Sequence, residues 1–379
     1  MTSAYRQEII MKIGIPKEIK VHEYRVGMVP ASVKEAVLHG HTVYVETLAG
    51  VGIGCSDEDY IAVGAQIVNS AQAVFEQADM IVKVKEPQSS ERMLLRKGQL
   101  LFAYLHLAPD REQTEDLINS GAVCIAYETV TDDNGQLPLL APMSEVAGRM
   151  SLQAGAFALE KSRGGRGILL AGVAGVAPAN VVIIGGGVVG MNAAQMAVGL
   201  RANVVIIDRN LEVLRQLDRL FSGVVTCIYS TNDAIEKYVL AADLVIGCVL
   251  VAGAKAPKLV TKEMIQRMKS GAAIVDVAID QGGCIETSHP TTHDNPTYIV
   301  DNVVHYCVAN MPGAVARTST FALNNATLPY ILQLADLGYK TALTTNKHLL
   351  NGLNIYQGQV TNYSVAQALG YPYISSVLA

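Results

Sequence analysis

The chain has 379 residues, half of them hydrophobic, and a formal net charge of −5. That length suits two domains with sizeable cores. The mild charge and the lack of a long basic run exclude a nucleic-acid partner, and the N-terminal MTSAYRQEIIMKIGIPKE lacks the apolar core of a signal peptide. The ten residues before Met11 read as a tail, or Met11 as an alternative start.

The first 140 residues alternate strand and helix patterns. KIGIP reads as a strand, ASVKEAVLHG as a helix and HTVYVE as a strand. AQAVFEQAD is helical, and MIVKVKEP and QLLFAYLHL read as strands. REQTEDLINSG is a helix and AVCIAYETV a strand. This is a doubly wound α/β unit without a glycine fingerprint, so it is suited to a substrate rather than a dinucleotide. SEVAGRMSLQAGAFALEKS, residues 144–162, then reads as one helix with Ser144 as its N-cap.

Between Arg166 and Arg201 no residue is charged. Repeated glycines, Pro178, Asn180, Asn192 and Gln195 argue against a membrane span and for a buried strand and helix. Within it, Gly185, Gly187 and Gly190 follow the β-branched run VVII and open a helical segment. A second VVII run ends on Asp208. Glycine permits a tight turn and close backbone approach, and a helix N-terminus offers free N–H groups to a pyrophosphate. An acid at Asp208 suits the hydroxyls of an adenosine ribose. ADLVIGCVLV, GAAIVDVAID and VVHYCVAN read as further buried parallel strands, and TSTFALNNATLPYILQLADLG with the remaining C-terminus as helical.

The expected architecture is α/β, with two doubly wound Rossmann-like domains separated by a cleft. A nucleotide-binding domain, residues 139–316, is inserted in a substrate domain made of residues 1–138 and 317–379. The six cysteines are scattered and form no C-x-x-C pair, which fits a reducing cytoplasm. His39 and His41 read as a helix-to-strand turn, and His289 and His293 as loop residues. No carboxylate or thiol pattern accompanies either pair, so no metal site is expected.

Charged residues cluster where strands of the first domain should end: Arg25 in HEYRV, Lys83, Lys85 and Glu86 in VKVKEP, and His106 in LHLA. With LPLLAPMSEVAGR, GGRGILLAGVAGV, DVAIDQGGC, YCVANMPGAV and TSTFALNNATLPY, these motifs resemble bacterial alanine dehydrogenase from Met11 to the end of the chain. The chain departs from the family pattern at Ala174 in GVAGV and at Arg201.

The resemblance implies reversible oxidative deamination of L-alanine by NAD to pyruvate and ammonium, in a cytoplasmic homohexamer with no membrane partner. It implies Arg25 and Lys85 on the substrate, and His106 with Asp280 as the catalytic pair. NAD contacts fall to Ser144, Gly185, Gly187, Val188, Val189, Gly190, Asp208, Ser230, Val249 and Leu250. They continue with Val277, Ala278, Ile279, Asp280, Ala309, Asn310, Met311 and Pro312. The chemistry of these types agrees: a guanidinium pairs with a carboxylate, and histidine moves protons near neutrality. Two other readings share the fold. One is a transhydrogenase-type subunit docking on a membrane partner; the other is a catalytically silent NAD-binding module. Arg25 also has a simpler reading, as a loop arginine paired with Glu23 or solvent.

Overall fold

A computed structural model describes residues 9–249 and 256–375. In chain order the strands are β1 (Lys12–Ile15), β2 (Thr42–Glu46), β3 (Gln66–Val68), β4 (Met80–Val82), β5 (Leu100–Ala103) and β6 (Val123–Ala126). There follow β7 (Asn180–Ile184), β8 (Asn203–Asp208), β9 (Val225–Tyr229), β10 (Leu244–Gly247), β11 (Ala273–Asp276), β12 (Thr297–Val300) and β13 (Val303–Tyr306). β14 (Leu353–Tyr356) and β15 (Gln359–Val360) close the series.

The chain divides into two compact units, residues 1–142 with 315–379 and residues 143–314. The first holds an eight-stranded sheet in the order β15-β14-β6-β5-β4-β1-β2-β3. The second holds seven strands in the order β12-β13-β11-β10-β7-β8-β9. Stripped of β12, β14 and β15, both sheets are parallel and share one order, in which the chain winds outward one way from a first strand and then returns to wind the other way. That reversal opens a crevice at the carboxyl ends of β1 and β4 in one unit, and of β7 and β10 in the other.

The apolar runs explain the sheets. In the second unit Val181 and Ile183 of β7 face one core with Val204, Ile206, Leu244 and Ile246. The intervening Val182 and Ile184 face another with Ile207, Val245 and Ile274. Alternate residues of a strand point to opposite faces, so a sheet covered by helices on both sides needs an unbroken apolar run. The uncharged stretch after Arg166 forms β7 and the helix Val188–Gly199. Among the described residues no helix is long and apolar enough to cross a membrane.

Several expected boundaries move. The bridging helix runs from Ala141 to Ala158, so Ser144 lies within its first turn and is not its cap. β11 stops at Asp276, and Val277–Gln281 turns into a 3-10 helix, which takes Asp280 off the strand. β13 ends at Tyr306, before Cys307 to Asn310. The C-terminal segment is not wholly helical. After the helix Ala316–Thr345, broken at Gly338 where φ is 69°, β14 and β15 pair antiparallel and β14 adds to β6. Two strands of four and two residues are too short to show a periodicity in sequence. That long helix is tied to its unit by Asn324, whose side chain accepts from Val29 N–H at 2.7 Å and donates to the Gly27 carbonyl at 3.1 Å.

The glycine turn makes one stability prediction. A Cβ on Gly190 would stand 1.8 Å from the Gly185 carbonyl oxygen. Gly190→Ala is therefore expected to cost at least about 1–3 kcal/mol through overpacking. Urea unfolding measures it, and an unchanged midpoint would show that the turn relaxes without cost.

Candidate active site

The residues singled out from sequence fall into two sets, one on each unit. In the first unit they gather at the carboxyl ends of β1, β4 and β5, which are adjacent in the sheet. Gly27 lets the segment after β1 lie against the end of β4, where a Cβ would stand 2.3 Å from the Val82 carbonyl oxygen. That segment carries Arg25. Its guanidinium is buried, with Nε donating to Glu23 Oε1 and Nη2 to Glu23 Oε2, both at 2.6 Å. The pairing with Glu23 weighed from sequence is present, but it is no solvated surface pair: the two side chains are 1% and 0% exposed. Burial opposes the charge on Arg25, and Glu23 more than offsets it, so the guanidinium stays protonated.

Lys85 follows β4 and is half-buried. Glu18, in the turn after β1, reaches across the crevice to this strand end. Its Oε1 accepts from Val84 N–H at 2.7 Å and from Lys85 N–H at 3.3 Å. Its other oxygen accepts from the fully buried Lys83 ammonium at 3.0 Å. Glu86, the next residue, pairs with Lys20. Burial raises the Glu86 carboxyl, but Lys85 and Lys20 more than reverse this and hold it below the usual carboxylate range.

His106 follows β5 with φ 50°, a left-handed conformation that costs a non-glycine residue about 1–2 kcal/mol. Glu128, after β6, holds it there. Its Oε1 accepts from His106 N–H at 2.6 Å, and both its oxygens accept from Leu105 N–H at 3.2 Å. The imidazole is exposed, lies 4.0 Å from the same carboxylate and stacks on Tyr104 at 5.9 Å. A histidine in contact with water and backed by a carboxylate is placed to accept and return a proton.

In the second unit Gly185 has φ 104°, and Gly187 is the N-cap of the helix that opens with Val188, Val189 and Gly190. Asp208 ends β8. One oxygen accepts from Gly186 N–H and the other from Asn210 N–H, each at 2.7 Å. Each oxygen keeps a second lone pair, so the carboxylate can still accept from two ribose hydroxyls. Ser230, just after β9, donates its N–H to the Asp208 carbonyl at 3.0 Å. Val249 follows β10, and Leu250 lies outside the described residues.

Asp276 ends β11 fully buried and was not singled out from sequence. Its Oδ1 accepts from Ala278 N–H at 3.1 Å and Cys284 N–H at 3.4 Å, and its Oδ2 from Ile285 N–H at 3.2 Å. It thus closes the loop that carries Val277, Ala278, Ile279 and Asp280. Burial pushes its carboxyl up, against hydrogen bonds from Ser288 and these amides. Ala309 donates its N–H to the Thr291 carbonyl at 3.3 Å, and Asn310 takes φ 67° before a 3-10 turn over Met311–Val315 that includes Pro312.

The fold also brings Asp336 to His39 and His41, a carboxylate that no local pattern announces. It lies 3.1 Å from His39 Nδ1 and 2.9 Å from His41 Nε2. Met11 N–H donates to His41 Nδ1 at 3.3 Å, which leaves the ring proton on Nε2, pointing at Asp336. The three form a hydrogen-bonded cluster that ties the long C-terminal helix to the start of β2.

A glycine turn answered by an acid at the next strand end, with a second doubly wound unit bearing buried cations, defines a two-domain nucleotide-binding α/β protein. The comparisons narrow this. The family model "Alanine dehydrogenase/PNT, N-terminal domain" matches residues 14–147, and "Alanine dehydrogenase/PNT, C-terminal domain" matches residues 151–363. The chain belongs to the alanine dehydrogenase/PNT family. It is 56% identical over 366 residues to the alanine dehydrogenase of Halomonas elongata, covering 97% of this chain and 99% of that protein. It is 51% identical over 371 residues to that of Mycobacterium tuberculosis, covering 97% and 100%. A solved L-alanine dehydrogenase aligns with a TM-score of 0.92 at 54% identity, covering 95% of this chain and 99% of that one. A transhydrogenase structure from Sinorhizobium meliloti aligns with a TM-score of 0.80 at 24% identity, covering 93% and 99%, which shows a shared fold.

The anchor under Asp280 yields a prediction. Asp276→Ala removes the acceptor of the Ala278, Cys284 and Ile285 amides, and each buried amide left unpaired costs about 1–3 kcal/mol. Equilibrium unfolding is expected to shift by at least that amount, and a wild-type midpoint would show that water replaces the carboxylate.

Proposed function

We propose that the protein is an NAD-dependent L-alanine dehydrogenase that interconverts L-alanine and water with pyruvate and ammonium. The observation that carries this is full-length identity above 50% to alanine dehydrogenases, joined to a chain that holds Arg25, Lys85, His106 and Asp280 at strand ends or in the turn just beyond one. Neither a docking subunit nor a silent module needs those four groups together.

Gly185, Gly186 and Gly187 fit the cofactor: they put no side chain on the turn, and the helix N-terminus that follows offers N–H groups and positive potential to a pyrophosphate. Asp208 accepts from the adenosine ribose and repels a 2′-phosphate, so NAD is used rather than NADP. Ser144, Ser230, Val249, Leu250, the Val277–Asp280 turn and Ala309 to Pro312 complete the contacts. Bound NAD supplies the hydride acceptor at the alanine Cα.

The other steps fall to side chains. Arg25 binds the alanine carboxylate, and Glu23 behind it keeps the guanidinium plane fixed. Lys85 donates to the carboxylate, or to the carbonyl oxygen as charge builds there. His106 takes a proton from the substrate ammonium group and passes it to solvent, then takes one from the water that adds to the imine and returns it as ammonia leaves. Asp280 stabilises the cationic imine. The protein works as a cytoplasmic homohexamer. The family resemblance supports the assembly, and six unpaired cysteines suit a reducing compartment.

The decisive assay is NADH formation by purified protein given NAD and a panel of L-amino acids. Turnover is expected with L-alanine, and a protein that binds NADH yet turns over no alanine contradicts the proposal. His106→Ala and Asp280→Asn are expected to lose kcat by at least about a hundredfold while the NADH Kd stays within about twofold. Near-normal kcat in either would remove that residue from the chemistry. Arg25→Lys keeps the charge and loses the planar fork. Loss of one charge-assisted hydrogen bond lowers kcat/KM for alanine and pyruvate about ten- to a hundredfold. A loss confined to NADH affinity would place Arg25 on the cofactor instead.

A further inference from the structure

Beneath Lys85 lies a buried charge cluster that the reaction as described does not use. Lys83 is fully buried and donates to two carboxylates, Glu18 Oε2 at 3.0 Å and Glu91 Oε1 at 2.7 Å. Glu91 Oε2 accepts from Gln88 N–H at 2.8 Å, which fixes the far end of the same segment. Glu91 alone would neutralise Lys83. The second carboxylate leaves an excess buried negative charge, and burial raises Glu18 even with Lys83 beside it. Stability does not call for such an arrangement, because burying charges is costly and well-packed apolar residues in their place are often as stable. What Glu18 adds is geometry: its Oε1 accepts both Val84 N–H and Lys85 N–H, across the crevice from the turn after β1.

We infer that Glu18 is a positioning residue for Lys85, holding the backbone from which that side chain reaches the substrate, with Lys83 as the charge that orients the Glu18 carboxylate. The inference rests on the substrate role given to Lys85 above. A carboxylate is required because both sides of Glu18 face donors, an ammonium on one and two amides on the other. An amide side chain offers one acceptor and one donor, so glutamine must leave either Lys83 or the Lys85 backbone facing an N–H.

The test is a double-mutant cycle on the native full-length enzyme, reading pyruvate KM, kcat and NADH Kd. Glu18→Gln, which conserves shape, is expected to raise pyruvate KM about tenfold, with NADH Kd within about twofold of wild type as the check on folding. Lys85→Ala alone is expected to raise it at least about tenfold. In the Lys85→Ala background the further effect of Glu18→Gln is expected to fall below about twofold, because a residue that acts through another has nothing left to position. The same tenfold factor in both backgrounds overturns the inference, since Glu18 would then act on the site generally. Wild-type KM in Glu18→Gln, with Lys85→Ala impaired, overturns it while leaving the substrate role of Lys85 standing. Wild-type KM in Lys85→Ala overturns that role and this inference together.

Discussion

Where a parallel strand ends, the chain turns away from its ladder and its next N–H groups lose their strand partners. In this protein the loops that carry the candidate chemistry leave the sheet at such points, and carboxylates accept those N–H groups. Glu18 serves Val84 and Lys85, Glu128 serves Leu105 and His106, Asp208 serves Gly186, and Asp276 serves Ala278 and, farther along the same loop, Cys284 and Ile285. An ionised acceptor makes shorter and stronger hydrogen bonds than a carbonyl and has lone pairs for several donors at once. Each carboxylate therefore turns a strand end that would fray into a fixed platform.

The same device serves two purposes. In the second unit Asp208 and Asp276 hold the backbone of the glycine turn and of the Val277–Gln281 turn, the surfaces proposed above for the nucleotide. In the first unit, with no glycine turn after β1, the crevice holds Glu18, Glu23, Arg25 and Lys83 instead. The two sheets share a strand order, so their different tasks come from what the first turn carries. Buried charge is a costly way to build a platform, and hydrophobic residues in its place would often be as stable. It supplies orientation: Arg25 is held by two hydrogen bonds to one carboxylate, and His106 is kept in a backbone conformation it would otherwise leave.

Much of this was legible in sequence. Long apolar runs, β-branched residues and the spacing of Gly185, Gly187, Gly190 and Asp208 announced the second sheet and its turn. The family motifs named Arg25, Lys85, His106 and Asp280. What escaped was relational. Glu18 and Glu128 stand in ordinary loop sequence, and only strand adjacency shows which amides they meet. Asp276 read as one more residue of a strand because DVAID continues the apolar pattern past the point where the ladder stops. β14 and β15 were hidden because six residues carry no periodicity of their own. Asp336 stands 297 residues from His39 and 295 from His41 along the chain.

Glu18 and Glu128 are expected to hold the loops beyond β4 and β5 as firmly as the sheet holds its strands. Amide hydrogen exchange resolved at Val84, Lys85, Leu105 and His106 tests it most directly. These amides lie beyond β4 and β5 yet are expected to exchange at the slow rate of the strands. Those of Leu105 and His106 alone should become fast when Glu128 is replaced by alanine. Loop-like exchange at all four in the unmodified protein, with β4 and β5 protected, would contradict it.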